Sequence, residues 1–227
     1  MTTVFVAGGA GGVGEGVVRS WLRAGATVLT MSRNPERLTQ LAASTRELGG
    51  TLITAQGSPT DPDAVASLSG EVSRFDQVVA SIGGGGWQLA PLTVMGEAMF
   101  RRVIDDGITA HWAAANLLLP RVSAGGDYVF INGGAALEIL AGAGPLSLVA
   151  RGQLSLAAIY AAEHATRSLP ITSLILNTPI ATRSRASAPP QWLTPDQVGD
   201  ACVRIHSMAD VPEQIVLGGA DDVASLS

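Results

Sequence analysis

The run AGGAGGVGEG, residues 7–16, joins an apolar β-branched segment (TVFV, 3–6) to a segment with helical apolar spacing (VVRSWL, 17–22). Glycine lets a chain reverse sharply and brings backbone amides close to a bound group. A helix that starts directly after such a turn aims its unpaired N–H groups and the positive end of its dipole at that group. The natural occupant is a pyrophosphate, which places a dinucleotide at this junction. Spacing leaves two registers open. Gly9, Gly11 and Gly14 satisfy G-x-G-x-x-G, and Gly8, Gly12 and Gly14 satisfy G-x-x-x-G-x-G.

The rest of the chain keeps the rhythm of a strand followed by a helix. ATVLTMS is a second strand, and Asn34 with Pro35 caps and opens a helix that stops by Gly49. GTLITAQG is a third strand, Asp61 with Pro62 repeats the cap, and FDQVVASIGGGG is a fourth strand ending in glycines. A long helix over residues 95–126, interrupted near Gly107, precedes a fifth strand DYVFING. The segment 145–169 is apolar around most of its circumference, as in a helix buried between a sheet and a neighbour or partner subunit. A sixth strand ITSLILN, a polar proline-rich loop, a helix opening at Thr194 and Pro195, and a last strand EQIVLGG complete the pattern. Strands separated by helices pair in parallel through right-handed crossovers, so both sheet faces are covered. The expectation is a single α/β domain over 1–227, a doubly wound Rossmann-type three-layer fold with a mostly parallel sheet of about seven strands.

Composition narrows the functional classes. With a net charge of −5 and no basic stripe interleaved with aromatics, nucleic acid is not expected as a partner. The apolar runs are short, so no membrane span is expected, and MTTVFVAGG lacks the basic and apolar regions of a secretory signal, which favours a cytoplasmic location. Cys202 is the only cysteine, and His111, His164 and His206 lack zinc-ligand spacing, so no metal site is expected. All fourteen basic residues are arginine, and there is no lysine anywhere.

At the end of the second strand a site that prefers NAD(H) places a carboxylate for the ribose 2′-hydroxyl. Here the chain offers Ser32 and Arg33, with no Asp or Glu from Ala26 to Asn34. A guanidinium there suits a 2′-phosphate, so NADP(H) is expected over NAD(H).

The opening VFVAGGAGGVGEGVVRSWLRAGATVLTMSRNPERL resembles the short-chain dehydrogenase/reductase family. The resemblance selects the register of Gly8, Gly12 and Gly14, with Val13 at the usual isoleucine and Ala7 at the usual threonine. It sets Ser58-Pro59 against the family's Asp-Val at the adenine, and Ala80, Ser81, Ile82 and Gly83 against Asn-Asn-Ala-Gly. It also gives Thr182 of NTPIATR a hydrogen bond to the nicotinamide carboxamide. The same resemblance marks what is missing. The active-site asparagine falls at Gly107, the serine at Gly133 or Gly134, and the Tyr-x-x-x-Lys pair in PLSLVARG, which contains neither residue. Tyr128 and Tyr160 are followed four residues later by Asn132 and His164, so no shift of alignment restores the pair. Arg151, at or beside the lysine position, is left to hold the nicotinamide ribose.

No catalytic residue is assigned. Asp105 and Asp106 would act as acids only if burial raised their pKa, Ser147 is a poor acid without a base, and Trp87, Trp112 and Trp192 either line a pocket or pack. The expected activity is an atypical NADP(H)-dependent oxidation or reduction of a small carbonyl or alcohol, with a non-catalytic NADP(H)-binding sensor or assembly partner as the alternative. Resemblance further implies a homodimer or homotetramer, formed through helices 97–122 and 145–168.

Overall fold

A computed structural model describes residues 1–70, 72–83, 89–185 and 187–226. Seven strands, β1 (Thr3–Ala7), β2 (Thr27–Ser32), β3 (Thr51–Gln56), β4 (Phe75–Ala80), β5 (Val122–Gly133), β6 (Ile171–Leu176) and β7 (Gln214–Leu217), form one sheet in the order β3-β2-β1-β4-β5-β6-β7. Every pairing is parallel. The order reverses between β1 and β4, and a doubly wound sheet opens a crevice at the carboxyl ends of its strands at such a reversal.

Successive side chains of β1 serve opposite faces. Val4 and Val6 join one core with α1 (Gly14–Arg23), Leu41 of α2 (Pro35–Thr45) and α7 (Pro195–Ser207). Phe5 and Ala7 join the other, with α3 (Pro62–Ser69), α5 (Ala110–Leu118) and α6 (Gly144–His164). The two expected caps form, the Asn34 side chain accepting from Glu36 and Arg37 amides and Asp61 from Asp63 and Ala64, and at the expected helix start Thr194 makes a capping box with Gln197. The last glycine of the first turn serves packing. A Cβ on Gly16 would stand 1.9 Å from the Pro195 carbonyl oxygen, so this glycine lets α1 and α7 touch backbone to backbone.

The structure departs from expectation at the long helix, the start of β5 and the C-terminal segment. The long helix is α4 (Glu97–Ile104), a π-helical turn Asp105–Thr109 around Gly107, and α5, which ends at Leu118. It does not reach 126, because Pro120 cannot continue it, and β5 begins at Val122 with an irregularity against β4 that Gly125, at φ +79°, accommodates. A short C-terminal helix α8 (Ala220–Ser225) was not expected. In α6 one face is buried and the other carries exposed Ile159, so the helix is not covered all round in a single chain.

A polar chain crosses the first core. Gln77, fully buried in β4, donates to Asp127 Oδ2 at 2.7 Å and to the Cys202 carbonyl at 2.9 Å, and it accepts from Trp21 Nε1 at 2.9 Å. Each contact matters, since a buried polar atom left unpaired costs about 1–3 kcal/mol. The other Asp127 oxygen lies 2.6 Å from His206 Nδ1. Hydrogen bonding to Asp127 raises the His206 pKa above its ordinary value although burial opposes it, and Asp76 adds to the rise. A raised folded-state pKa contributes stability that is complete below the unfolded value of about 6.5 and is lost as pH climbs through the raised one. The urea midpoint is therefore expected to fall as pH rises from about 6 to about 9, and His206→Gln is expected to flatten that decline. Identical pH curves for the two proteins would contradict the assignment.

Candidate functional site

The crevice at the reversal point is a cleft of about 730 Å³. Its floor is the glycine turn. Gly8 adopts φ +85°, and a Cβ there would stand 2.3 Å from the Ser81 carbonyl oxygen, so the end of β1 lies directly against the end of β4. A Cβ on Gly14 would stand 2.2 Å from the Gly8 carbonyl oxygen. The turn thus closes on itself at the first residue of α1, and only glycine fits. Among the described residues the amides of Gly12, Val13 and Gly14 have no backbone acceptor, whereas Gly11 bonds Gly8 and Glu15 bonds Gly11. These free donors lie at the positive end of α1, the arrangement that receives a diphosphate.

Six of the expected residues share this cleft: Gly8, Ser32, Arg33, Ser58, Ser81 and Gly83. Ser32 lies at the carboxyl end of β2, and its Oγ accepts from the Asn34 amide at 3.1 Å. The Ser58 and Thr60 hydroxyls are 2.8 Å apart, so Ser58 is partly engaged by its own loop. Gly12 and Thr182 face each other in an adjoining recess of about 200 Å³, where a Cβ on Gly12 would stand 3.0 Å from Thr182 Cγ2. Thr182 Oγ1 lies 3.0 Å from Ser184 Oγ. Val13 caps α1 and packs partly against the first core.

Arg151 is placed elsewhere. Its Nη2 donates to the Leu137 carbonyl at 3.0 Å, and it lines neither the cleft nor the recess. Gly107 and Gly133 contribute no side chain. The Gly107 carbonyl accepts from Gln153 Nε2 at 2.9 Å, and the side chain of Asn132, beside Gly133, is spent on the Ala150 carbonyl. Ser147 is buried and accepts from the Leu140 amide. Asp105 and Asp106 line the cleft, Asp106 paired with Arg102 at 3.3 Å. Trp87 lies outside the described residues. Trp112 is exposed on α5, and Trp192 lies under the Arg185 guanidinium. Among the described residues no cluster of His, Cys, Asp and Glu could hold a metal ion, and no helix is long and apolar enough to cross a membrane.

Three contributors were not anticipated. Arg37, in the first turn of α2, lines both the cleft and the recess, and its position one helical turn past Arg33 was a signal available in the sequence. Arg183 binds Glu15 with Nη2–Oε2 at 2.5 Å and also reaches Gln40, which ties the segment after β6 to α1 and α2. His111 is fully buried, and its Nε2 contacts the Ile82 carbonyl at the cleft wall. Burial lowers its pKa to about 4 although that contact opposes the shift, so the ring is neutral at pH 7 and donates from Nε2. The last two links join residues 29 and 168 positions apart and leave no local pattern.

Residues 2–185 match the family model described as short chain dehydrogenase. The chain belongs to the short-chain dehydrogenase family. Two fungal short chain dehydrogenase/reductases resemble it over part of their length. These are dpmpG of Macrophomina phaseolina, 38% identical over 79 residues, and dpchG of Colletotrichum higginsianum, 39% identical over 74. The matches span 34% and 32% of this chain and 42% and 28% of those proteins. A short-chain type dehydrogenase/reductase from Mycobacterium ulcerans superimposes with a TM-score of 0.85 at 21% identity, covering 98% of this chain and 90% of that one. An alcohol dehydrogenase from Thermococcus sibiricus in complex with 5-hydroxy-NADP gives 0.78 at 18%, covering 96% of each chain. A 3-oxoacyl-[acyl-carrier protein] reductase from Brucella melitensis with bound NAD gives 0.80 at 20%, covering 96% and 90%. These likenesses concern the fold, which this short-chain dehydrogenase shares along nearly its whole length.

The contact between Gly14 and Gly8 yields a direct test. Gly14→Ala is expected to abolish saturable binding of either nicotinamide nucleotide, followed by quenching of tryptophan fluorescence. Gly49→Ala, which adds its methyl to open space, is expected to leave binding unchanged. Equal affinity in both variants would remove the turn from the binding site.

Proposed function

We propose that this short-chain dehydrogenase binds NADP(H) in the cleft and acts as an oxidoreductase on a small carbonyl or alcohol, without the tyrosine and lysine of its family. The observation that carries the cofactor choice is the pair Arg33 and Arg37, both exposed at the cleft where β2 hands over to α2. Among the described residues neither guanidinium is paired with a carboxylate. Two free guanidiniums beside the adenosine end suit a 2′-phosphate and leave a bare 2′-hydroxyl without the carboxylate acceptor it prefers.

The residues present fit the group, since among the described residues the amides of Gly12, Val13 and Gly14 at the start of α1 have no backbone acceptor. Gly12, Val13 and Gly14 would take the diphosphate on their amides, Arg33 and Arg37 the 2′-phosphate, Ser58 the adenine side, Ser81 and Gly83 the shelf above β4, and Thr182 the nicotinamide end. Arg151 is proposed for the nicotinamide ribose only if it leaves the Leu137 carbonyl. When bound, the nicotinamide supplies or accepts a hydride. The chain contributes alignment of the two reactants. Proton delivery at the carbonyl oxygen falls to water, because Ser147 is a poor acid and no lysine exists to lower a neighbour's pKa.

A second reading is favoured by one observation. Ser147 and Arg151 are both committed to loop backbone, as they would be in a non-catalytic NADP(H)-binding sensor or assembly partner. Following reduced nicotinamide absorbance with NADPH and a carbonyl panel separates the two. Turnover supports the oxidoreductase, and tight binding without turnover supports the sensor. Exposed Phe100, Trp112 and Ile159 on α4, α5 and α6 support a homodimer or homotetramer, and a cytoplasmic setting with neither nucleic acid nor membrane completes the proposal.

A charge-assisted contact to phosphate is worth about 1.5–3 kcal/mol, or roughly 10- to 150-fold in affinity. Arg33→Ala and Arg37→Ala are each expected to weaken NADPH by at least about tenfold and to leave NADH nearly unchanged, by calorimetry. Equal losses for both nucleotides, or none, would contradict the choice of NADP(H).

A further inference from the structure

The first turn of α1 carries a charge of the wrong sign for the group proposed there. Glu15 is the second residue of α1, directly after Gly14, and its side chain is only 8% exposed. A carboxylate in the first turn is stabilised by the amides and the dipole of its own helix. It therefore draws on the same positive helix end that would hold a diphosphate. Glu15 also lines the recess that Gly11 and Gly12 border, so carboxylate and glycine turn share one space of about 200 Å³. Two anions side by side in a partly buried pocket repel, and a buried carboxylate is costly without a counter-charge.

The counter-charge comes from far along the chain. Arg183 approaches Glu15 with two nitrogens, Nε to Oε1 at 3.1 Å and Nη2 to Oε2 at 2.5 Å, the forked geometry in which guanidinium and carboxylate bind most strongly. Its third nitrogen, Nη1, donates to Gln40 Oε1 of α2 at 3.3 Å. Arg19, one turn along α1, stands 3.7 Å from Glu15 Oε1, but its Nε and Nη2 are given to Asp196, with Nε–Oδ1 at 2.7 Å. Arg183 is thus the main partner of Glu15. It follows Thr182, whose Cγ2 would stand 3.0 Å from a Cβ on Gly12. Neutralising Glu15 and laying the segment after β6 along the glycine turn are therefore one event.

We propose that Arg183 is a positioning residue for the dinucleotide, which by neutralising Glu15 frees the start of α1 to take a diphosphate. The inference rests on the diphosphate site of the proposed function and is independent of the choice between nucleotides. It makes docking of the segment after β6 and binding of the dinucleotide mutually favourable, because each lowers the cost of the other.

The test is a charge-suppression cycle read by calorimetry with NADPH and with NADH. Arg183 is half-exposed and Glu15→Gln keeps the shape of the side chain, so both changes spare the core. Arg183→Ala, which leaves Glu15 without its main partner, is expected to weaken both nucleotides at least tenfold, and Arg183→Lys, which keeps the charge, to retain most of the affinity. Adding Glu15→Gln to Arg183→Ala is expected to recover most of the loss, and Glu15→Gln alone to bind at least as tightly as the unaltered chain. The proposal is overturned if Arg183→Ala leaves affinity unchanged or if Arg183→Lys is as weak as Arg183→Ala. It is overturned if the double variant stays as weak as Arg183→Ala, which would make Arg183 a direct phosphate ligand. It is equally overturned if Glu15→Gln alone weakens binding as much as Arg183→Ala, which would make the pair a strap held for its shape. A loss confined to NADPH contradicts it too, by moving Arg183 to the 2′-phosphate. An unaltered chain that binds neither nucleotide overturns the proposed function together with this inference, a result distinct from all the others.

Discussion

Two backbone groups in van der Waals contact, the Gly8 carbonyl and the Gly14 Cα, set the geometry of the functional end of this molecule. With no side chain between them, α1 starts immediately above β1, and among the described residues the amides of Gly12, Val13 and Gly14 have no backbone acceptor. The same carbonyl-to-backbone closeness at Ser81 draws the ends of β1 and β4 together, so the cleft opens where the strand order reverses. Farther along, Gly16 lets α7 cross α1, and Arg19 and Arg23 both grip Asp196 there. One glycine-rich stretch thus shapes the cleft at its first residues and lets two helices pack at its last.

The two ends of the cleft differ. The end at the glycine turn has amides without a backbone acceptor among the described residues and the Arg33 and Arg37 guanidiniums. Toward the other end Gly107 and Gly133 carry no side chain, and Gln153, Asn132, Ser147 and Arg151 are bonded to backbone carbonyls or amides. Buried polar groups without partners are costly, so such side chains settle into structural bonds. The arrangement keeps that end of the sheet ordered.

Much of the fold was legible because its determinants are local. Asn34 with Pro35, Asp61 with Pro62 and Thr194 with Pro195 each cap a helix using atoms two or three residues apart. The apolar runs of β1, β4 and β6 announce strands buried on both faces. The end of α5 was misplaced because the cue at Pro120 competes with apolar residues on either side. Gly8, Ser32, Arg33, Ser58, Ser81 and Gly83 could be named because each sits at the end of a strand, and strand ends converge at the reversal point. The tie between Arg183 and Glu15 and the buried His111 beneath Ile82 depend on how distant segments dock, and the loop bonds of Arg151 and Ser147, to residues 14 and 7 positions away, on how the loop before α6 folds back, which no spacing encodes.

In the proposed function, amides at the first turn receive a diphosphate and the neighbouring guanidiniums read an additional phosphate. An ¹⁵N–¹H correlation spectrum of the labelled chain, titrated with NADPH and separately with NADH, tests this atom by atom. The largest amide shifts are expected at Gly12, Val13 and Gly14 with either nucleotide, and shifts of the Arg33 and Arg37 Nε–H signals with NADPH alone. NADPH that saturates while those three amides stay in place, or NADH that moves both arginine signals as far as NADPH does, would contradict it.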